Sequence, residues 1–318
     1  MEKIVVGTRA SQLAVKQTKI FCNNLNKIFP KLTIDIKKIT TSGDRIKDKQ
    51  LYQFGGKGLF IKEIEAALLN QEIDLAVHSL KDMPGQIPDV FSLGCFPHRA
   101  DARDVLISSS DKTLDELPQG AVLGTGSLRR QLQLKKYRPD LNFVNLRGNV
   151  DTRIEKMKKQ NLDGIILAAC GLHRLNLNSL ITEYIAPTIS LPAVGQGTLG
   201  IEILTENIKV KKMIKPLEHQ PTSLCSLAER KFLSTLNGSC HLPLGCYARI
   251  NLRENKFVFK ITGFLASRDG TKHLKKDKKH ILGTKNKKLE KTVLKLGKNL
   301  ALEILNDGGQ KILAEMKE

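Results

Sequence analysis

Ala121-Val122-Leu123-Gly124-Thr125-Gly126-Ser127-Leu128-Arg129-Arg130 runs from an apolar stretch through a glycine-bearing turn into the start of a helix. The residues from Ala121 to Thr125 suit a buried strand, and Ser127 stands where a helix N-cap would, with Leu128 and Leu132 following on one helical face. Strand, tight turn and helix form the repeating unit of an α/β domain with a largely parallel sheet. The two arginines fall in the first helical turn, against the positive end of the helix dipole, where acidic residues are preferred. Either they point away into solvent, or they join the free first-turn amides in holding an anion.

The same alternation extends on both sides. Lys3 to Gly7 reads as a strand, and Ser11 caps a helix that turns Leu13, Ala14, Phe21, Leu25 and Ile28 toward a core. Leu32 to Thr40 is a second strand, and Ile61, Ile64 and Leu68 mark a helix opened by Gly55-Gly56-Lys57-Gly58. Ile73 to His78 is a third strand, ending at Ser79-Leu80-Lys81-Asp82. Beyond Arg103 come strands at Asp104 to Ser108, Asn142 to Leu146 and Gly164 to Ala168, with a helix from Asp151 to Lys159. Pro192-Ala193-Val194-Gly195-Gln196-Gly197 has the composition of a crossing segment. The last third differs: a helix over 223–236, strand-like runs over 245–251 and 257–265, and a closing helix over 289–305 predict an α+β domain.

The fold class is therefore α/β: two domains similar to those of periplasmic binding proteins, with a cleft between them, plus a C-terminal α+β domain with a small antiparallel sheet. The expected bounds are 1–99 with 196–218 for the first domain, 103–193 for the second and 220–318 for the third. Hinge motion is expected at the crossings near 99–103 and 193–198.

Composition narrows the function classes. Hydrophobic residues are 41% and charged residues 26% of 318, as in an ordinary folded protein. The amino terminus lacks a basic segment followed by a long apolar one, and no apolar run approaches the ~20 residues that span a bilayer. A cytoplasmic, membrane-free protein is expected. The net charge of +20 is concentrated late: Leu252 to Lys298 holds fifteen Lys or Arg against four Asp or Glu. That stretch has few aromatics and no DNA-binding motif, so it reads as a solvated lysine face and not as a specific nucleic-acid surface. Six cysteines, at 22, 95, 170, 225, 240 and 246, form no CxxC pair and no zinc-like spacing, and no metal is expected.

Arginines recur at strand-to-helix junctions. Arg9, Arg147, Arg153 and Arg174 join Arg129 and Arg130 at positions that follow strands. Ligands of open α/β sheets bind beyond the carboxyl ends of the strands, and a guanidinium matches a carboxylate as a two-pronged partner. Each arginine alone is an ordinary surface ion pair; the recurrence points to a ligand rich in carboxylates. Asp82, beside Lys81, is a carboxylate at an equivalent position, either a turn residue paired with lysine or a group that handles protons. Lys57 lies in a glycine-rich helix entry, by itself a tight turn. Cys240 sits in the loop Gly238-Ser239-Cys240-His241-Leu242-Pro243, where an accessible thiol has either no role or serves as a covalent anchor.

Together these stretches resemble the hydroxymethylbilane synthase (porphobilinogen deaminase) family, in the family's order and over essentially the whole chain. The matching runs are Gly7-Thr8-Arg9-Ala10-Ser11-Gln12-Leu13-Ala14, Gly55-Gly56-Lys57-Gly58-Leu59-Phe60 and His78-Ser79-Leu80-Lys81-Asp82-Met83-Pro84. They continue with Gly124 to Arg130, Leu146 to Arg153, Leu191 to Gly197 and Gly238 to Gly245. The resemblance implies a dipyrromethane cofactor held by a thioether at Cys240, porphobilinogen as substrate, and Asp82 as the catalytic carboxylate. It further implies that Arg129, Arg130, Lys81, Ser79, Thr125 and Ser127 hold the cofactor, and that Arg9, Ser11, Lys57, Arg147, Arg153 and Arg174 bind substrate. A monomer is the family expectation. Gln53, Gly126, Asp151 and Ser239 depart from the commoner family residues, and none of them replaces Asp82 or Cys240.

Overall fold

The computed structural model describes residues 3–42, 61–238, 242–253, 256–283 and 288–316. The chain begins with β1 (Lys3–Arg9), α1 (Gln12–Ile28), β2 (Thr33–Ile39), α2 (Lys62–Leu69), β3 (Leu75–Ser79), a 3-10 turn at Leu80–Asp82, and β4 (Phe91–Cys95). Next come β5 (Asp104–Ser108), β6 (Val122–Gly124), α3 (Leu128–Tyr137), β7 (Asn142–Val144), α4 (Val150–Lys159), β8 (Gly164–Ala168), α5 (Ala169–Arg174) and β9 (Glu183–Ile185). The chain continues through β10 (Leu199–Leu204), α6 (Ile208–Ile214) and α7 (Gln220–Thr235). It closes with β11 (Leu244–Arg253), β12 (Lys256–Ala266), β13 (His273–Gly283), α8 (Leu289–Ile304) and α9 (Gln310–Glu315).

These elements divide into two compact units, residues 1–100 with 197–223, and residues 101–196 with 224–318. In the first, the sheet order is β2-β1-β3-β10-β4, with β1 parallel to both β2 and β3 and with β10 antiparallel to β3 and β4. Ile4 and Val6 of β1 pack with Phe21, Cys22 and Leu25 of α1 in one buried cluster. Ile64, Ala67 and Leu68 of α2 form another with Ile73 and Ala76. Burial on both faces explains why these strands read as near-continuous apolar runs. The Ser11 hydroxyl accepts the Ala14 amide at 3.4 Å and caps α1 as expected.

The second unit repeats the pattern. Its larger sheet runs β7-β6-β8-β5-β9, with β6 parallel to β7 and β8, and β5 antiparallel to β8 and β9. In each sheet, three parallel strands are followed by an antiparallel one, and each antiparallel strand (β5, β10) follows the point where the chain passes from one unit to the other. The same unit contains the meander β11-β12-β13, with Phe232, Phe259, Ile261, Val293, Leu300 and Ile304 buried between it and its helices. Gly297 permits the closest helix contact there, since a Cβ at that position would stand 2.2 Å from the Ala228 carbonyl oxygen.

The strands β4, β9 and β10 and the helices α6 and α9 are not among the elements read from the sequence. The residues after Ala168 form the short helix α5, which holds Cys170. The lysine-rich stretch expected as a solvated face contains an eleven-residue strand, β13. Lysine has little β propensity, but β13 is an edge strand, where lysine discourages pairing with other chains. Lys276 and Lys278 are also paired, with Asp307 and Glu303. Among the described residues no helix is long and apolar enough to cross a membrane.

Candidate functional site

In the first unit, the parallel register Val6↔Leu75 and Gly7↔Ala76 brings the carboxyl ends of β1 and β3 to one edge of the sheet. That edge carries Arg9 at the end of β1 with Ser11 beyond it, and Ser79 at the end of β3 with Lys81 and Asp82 beyond it. The turn is fixed by backbone bonds: the Leu80 amide donates to the Thr198 carbonyl at 3.0 Å, and the Met83 amide to the Leu80 carbonyl at 3.2 Å. With Leu80 and Met83 buried beneath, the Asp82 side chain is left exposed and Lys81 half-buried. The Ser79 hydroxyl lies 3.0 Å from the Gln17 amide nitrogen, which ties the end of β3 to α1.

Next to Ser79 on β3, His78 is buried and its Nε2 lies 2.9 Å from Oε2 of Glu202, a residue with no solvent exposure. Oε1 of Glu202 and Oε1 of Glu65 on α2 are both buried without a hydrogen-bond partner. Burial pushes the Glu65 carboxyl above its ordinary value, the Glu202 charge adds to the rise, and His78 opposes it. As pH climbs from the usual Glu range near ~4.3 toward the raised value, the unfolded chain gives up this proton first, so stability falls. Glu65→Gln lacks that loss. Its urea midpoint is expected to gain on the parent's as pH rises above the usual Glu range near ~4.3; a constant or shrinking difference would exclude Glu65 as the source.

In the second unit, the parallel strands β7, β6 and β8 bring another carboxyl edge together. Thr125 and Ser127 follow β6, Arg147 follows β7, Arg153 lies in the first turn of α4, and Arg174 ends α5 beyond β8. Thr125 is buried, its amide bonded to the Val144 carbonyl at 2.9 Å, and its hydroxyl accepts the Ser127 amide at 3.3 Å. Ser127 occupies the N-cap position of α3 without making the side-chain cap bond expected of it. Gly148 adopts φ +117°, and its carbonyl accepts Nε of Arg153 at 2.8 Å. Burial pulls the Arg174 guanidinium below its ordinary value.

Arg129 and Arg130 turn inward, 4% and 5% exposed, onto Asp104. The Arg129 Nη1 and Arg130 Nη2 atoms each stand 2.8 Å from the Asp104 carboxylate, and Nε of Arg130 stands at 2.9 Å. Arg129 also donates to the Leu191 carbonyl and Arg130 to the Ile166 carbonyl at 2.9 Å. The Ser190 hydroxyl and the Gln196 amide donate to Asp104 at 2.8 and 2.9 Å, so the crossing segment is bound to the same carboxylate. Burial alone would raise the Asp104 pKa. The two guanidinium charges and their hydrogen bonds outweigh it and hold the carboxyl well below the usual carboxylate range. Two buried cations on one buried anion leave a formal charge of about +1 at the start of α3, beside its first-turn amides.

Asp104 and Ser190 were not singled out in the sequence. A carboxylate opening the apolar strand Asp104-Val105-Leu106-Ile107 was the available signal, because a charge there needs a buried partner. Cys240, Lys57, Gln53 and Ser239 lie outside the described residues. The other five cysteines are buried, and burial pushes the Cys22 thiol up to about 11, as fits inert packing residues.

A family model described as "Porphobilinogen deaminase, dipyromethane cofactor binding domain" matches residues 4–212, and one described as "Porphobilinogen deaminase, C-terminal domain" matches 223–306. A porphobilinogen deaminase of Alkaliphilus metalliredigens is 48% identical over 275 residues, 86% of each chain. One from Brevibacillus brevis is 45% identical over 316 residues, covering 99% of this chain and 98% of its own. Among solved structures, an arginine-specific periplasmic binding protein from Salmonella typhimurium covers 70% of this chain and 94% of its own at 15% identity and a TM-score of 0.39, too loose a likeness to bear on ligand or activity. Matches that take in both ends of the chain, at identities near one half, place it in the porphobilinogen deaminase family.

Proposed function

We propose that the carboxyl edges of the two sheets bind the acetate and propionate groups of substrate and cofactor, with Asp82 handling protons. The activity that comes with the family is hydroxymethylbilane synthesis: porphobilinogen units are joined with loss of ammonia, and water releases the linear tetrapyrrole. The cofactor of the family is dipyrromethane. The observation that carries the residue assignment is the uncompensated positive charge of the Arg129–Arg130–Asp104 cluster beside the edge bearing Arg147, Arg153 and Arg174. Each pyrrole ring brings two carboxylates, and guanidinium groups with first-turn amides suit such a ligand.

Dipyrromethane, when bound, would supply the free pyrrole α-carbon to which the first unit is joined, each later unit joining the ring added before it. Lys81, Thr125, Ser127 and Ser79 would hold it, with Arg129 and Arg130, both turned onto Asp104, lending positive charge from beneath, and Cys240 would carry it through a thioether. Arg9, Ser11, Lys57, Arg147, Arg153 and Arg174 would hold the incoming porphobilinogen. The exposed Asp82 carboxylate, on a turn held rigid by Thr198, would offset positive charge on the substrate's pyrrole nitrogen as ammonia departs. It would then take the proton released from the ring carbon. The division into three domains at 1–99 with 196–218, 103–193 and 220–318, a monomeric state and a cytoplasmic location belong to the same proposal.

Mass spectrometry of the intact chain, purified from cells able to make porphobilinogen, tests the reading. Two pyrrole units of added mass, mapped to the Cys240 peptide and missing from Cys240→Ser, are expected, because a hydroxyl is a much poorer nucleophile than a thiolate. An unmodified chain that forms no tetrapyrrole from porphobilinogen would refute it.

A further inference from the structure

The second unit contains an open pocket of about 460 Å³ lined by none of the residues assigned above. Lys135 and Lys136, in the last turn of α3, form one wall. The turn between β12 and β13 forms the other, with Asp269, Gly270, Thr271 and His273. Arg129 and Arg130 lie some six residues earlier on the same helix, about 9 Å along its axis at ~1.5 Å per residue. The volume suits a metabolite, since small-molecule sites span roughly 300–1,000 Å³.

The charges on these walls are not satisfied from within. Neither Lys135 nor Lys136 makes an ion pair among the described residues. Asp269, the one carboxylate on the wall, is occupied by its own turn: it accepts the Ser267 hydroxyl at 2.6 Å, the Thr271 amide at 3.1 Å and the Thr271 hydroxyl at 3.0 Å. Those bonds hold it at about 2. His273 is braced edge-on against Phe264, with ring centroids 5.8 Å apart, and its Nδ1 is buried without a hydrogen-bond partner. Burial, and then the Lys136 charge, pull the His273 imidazole below its ordinary value against a hydrogen bond to the Gly270 backbone. The neighbouring Lys275, whose Nζ donates to the Thr188 carbonyl at 3.0 Å, is likewise lowered by burial and by Lys136. Lys272, on the same turn, pairs with Glu315 at 3.7 Å. Like charges are thus crowded around a hollow whose only acid is already spoken for.

We propose that this pocket binds a metabolite-sized anion through a phosphoryl or carboxylate group, held by Lys135 and Lys136 beside the His273 ring. An occupant would bridge the end of α3 to the antiparallel sheet and relieve the repulsion among these cations. The test uses the full-length holoenzyme with ¹³C-labelled histidine, the His273 signal being assigned by its loss in His273→Gln. Inorganic phosphate, citrate and adenosine monophosphate are titrated separately. The expected result is a saturable shift of the His273 signal, with its titration moved to higher pH, by at least one of the three. Lys135→Ala/Lys136→Ala should weaken that response about tenfold or more, the change expected when ~1.4 kcal/mol of charge-assisted contact is removed. A response to phosphate and adenosine monophosphate alone identifies a phosphoryl site, and a response to citrate alone identifies a polycarboxylate site. No saturable shift with any probe up to about 10 mM, where even contacts worth only ~3 kcal/mol become visible, overturns the proposal. So does a shift that the double substitution leaves unchanged while the variant's melting curve matches the parent's.

Discussion

Asp82→Ala is expected to fold with the parent's stability and to lose roughly 10²–10⁴-fold in turnover, the range in which one positioned acid–base group contributes. The side chain is exposed, and the turn that carries it is held by main-chain bonds from Leu80 to Thr198 and from Met83 to Leu80, none of which the substitution touches. Loss of activity should therefore come without loss of structure. Asp82→Asn separates charge from shape, because the amide keeps the volume but can neither offset a cation nor take a proton. Single-turnover release of ammonia from porphobilinogen, beside a urea melt, gives both quantities. Turnover within a few-fold of the parent would assign the proton work elsewhere on the edge; a collapsed melt would make the residue structural.

Asp104→Ala should act oppositely, on the fold before the chemistry. Removing this carboxylate strands two guanidinium groups that are almost fully buried, and breaking a buried ion pair in this way costs about 3–5 kcal/mol. Ser190 and Gln196 lose their shared acceptor as well, so the crossing segment should loosen together with α3. The expected readout is a matching fall in the urea-unfolding free energy. Because the folded pKa is depressed, the parent's stabilisation from Asp104 is complete above the ordinary carboxylate range near ~3.9 and is lost only as pH falls through the much lower folded value. The stability gap between parent and variant should accordingly be level at neutral pH and close only in strong acid. A variant that melts like the parent at pH 7 would mean that the guanidinium groups reach solvent or another anion when Asp104 is gone. Arg130→Ala, which leaves one cation on the carboxylate, should cost less than Asp104→Ala.

Both experiments bear on the same question of what Arg129 and Arg130 do. The alternatives readable in sequence were surface arginines or direct anion ligands. The inward pairing with Asp104 is a third arrangement, in which the pair anchors the helix start and still leaves positive charge there. That explains how two arginines are tolerated at a helix N-terminus, where the dipole term of ~0.3–1 kcal/mol opposes them.

Local pattern was enough for much of this protein. Alternation of apolar runs and helical faces placed β5 and β8 at their observed bounds and most other strands within a residue or two, because burial on both faces writes itself into composition. The junction residues Arg9, Ser79, Asp82, Thr125, Arg147 and Arg174 could be placed at or beyond strand ends for the same reason: a strand's carboxyl end is a local property. What only the tertiary structure decided was who meets whom across distance. β13 forms because β12 offers it a partner and edge lysines are favourable there, which no propensity of Lys275 to Lys279 announces. Asp104 finds Arg129 and Arg130 at one helix start and Ser190 and Gln196 in the crossing segment, a convergence set by the crossing topology. Burial made that pairing obligatory, since a charge removed from water must find its counter-ion wherever the fold brings one.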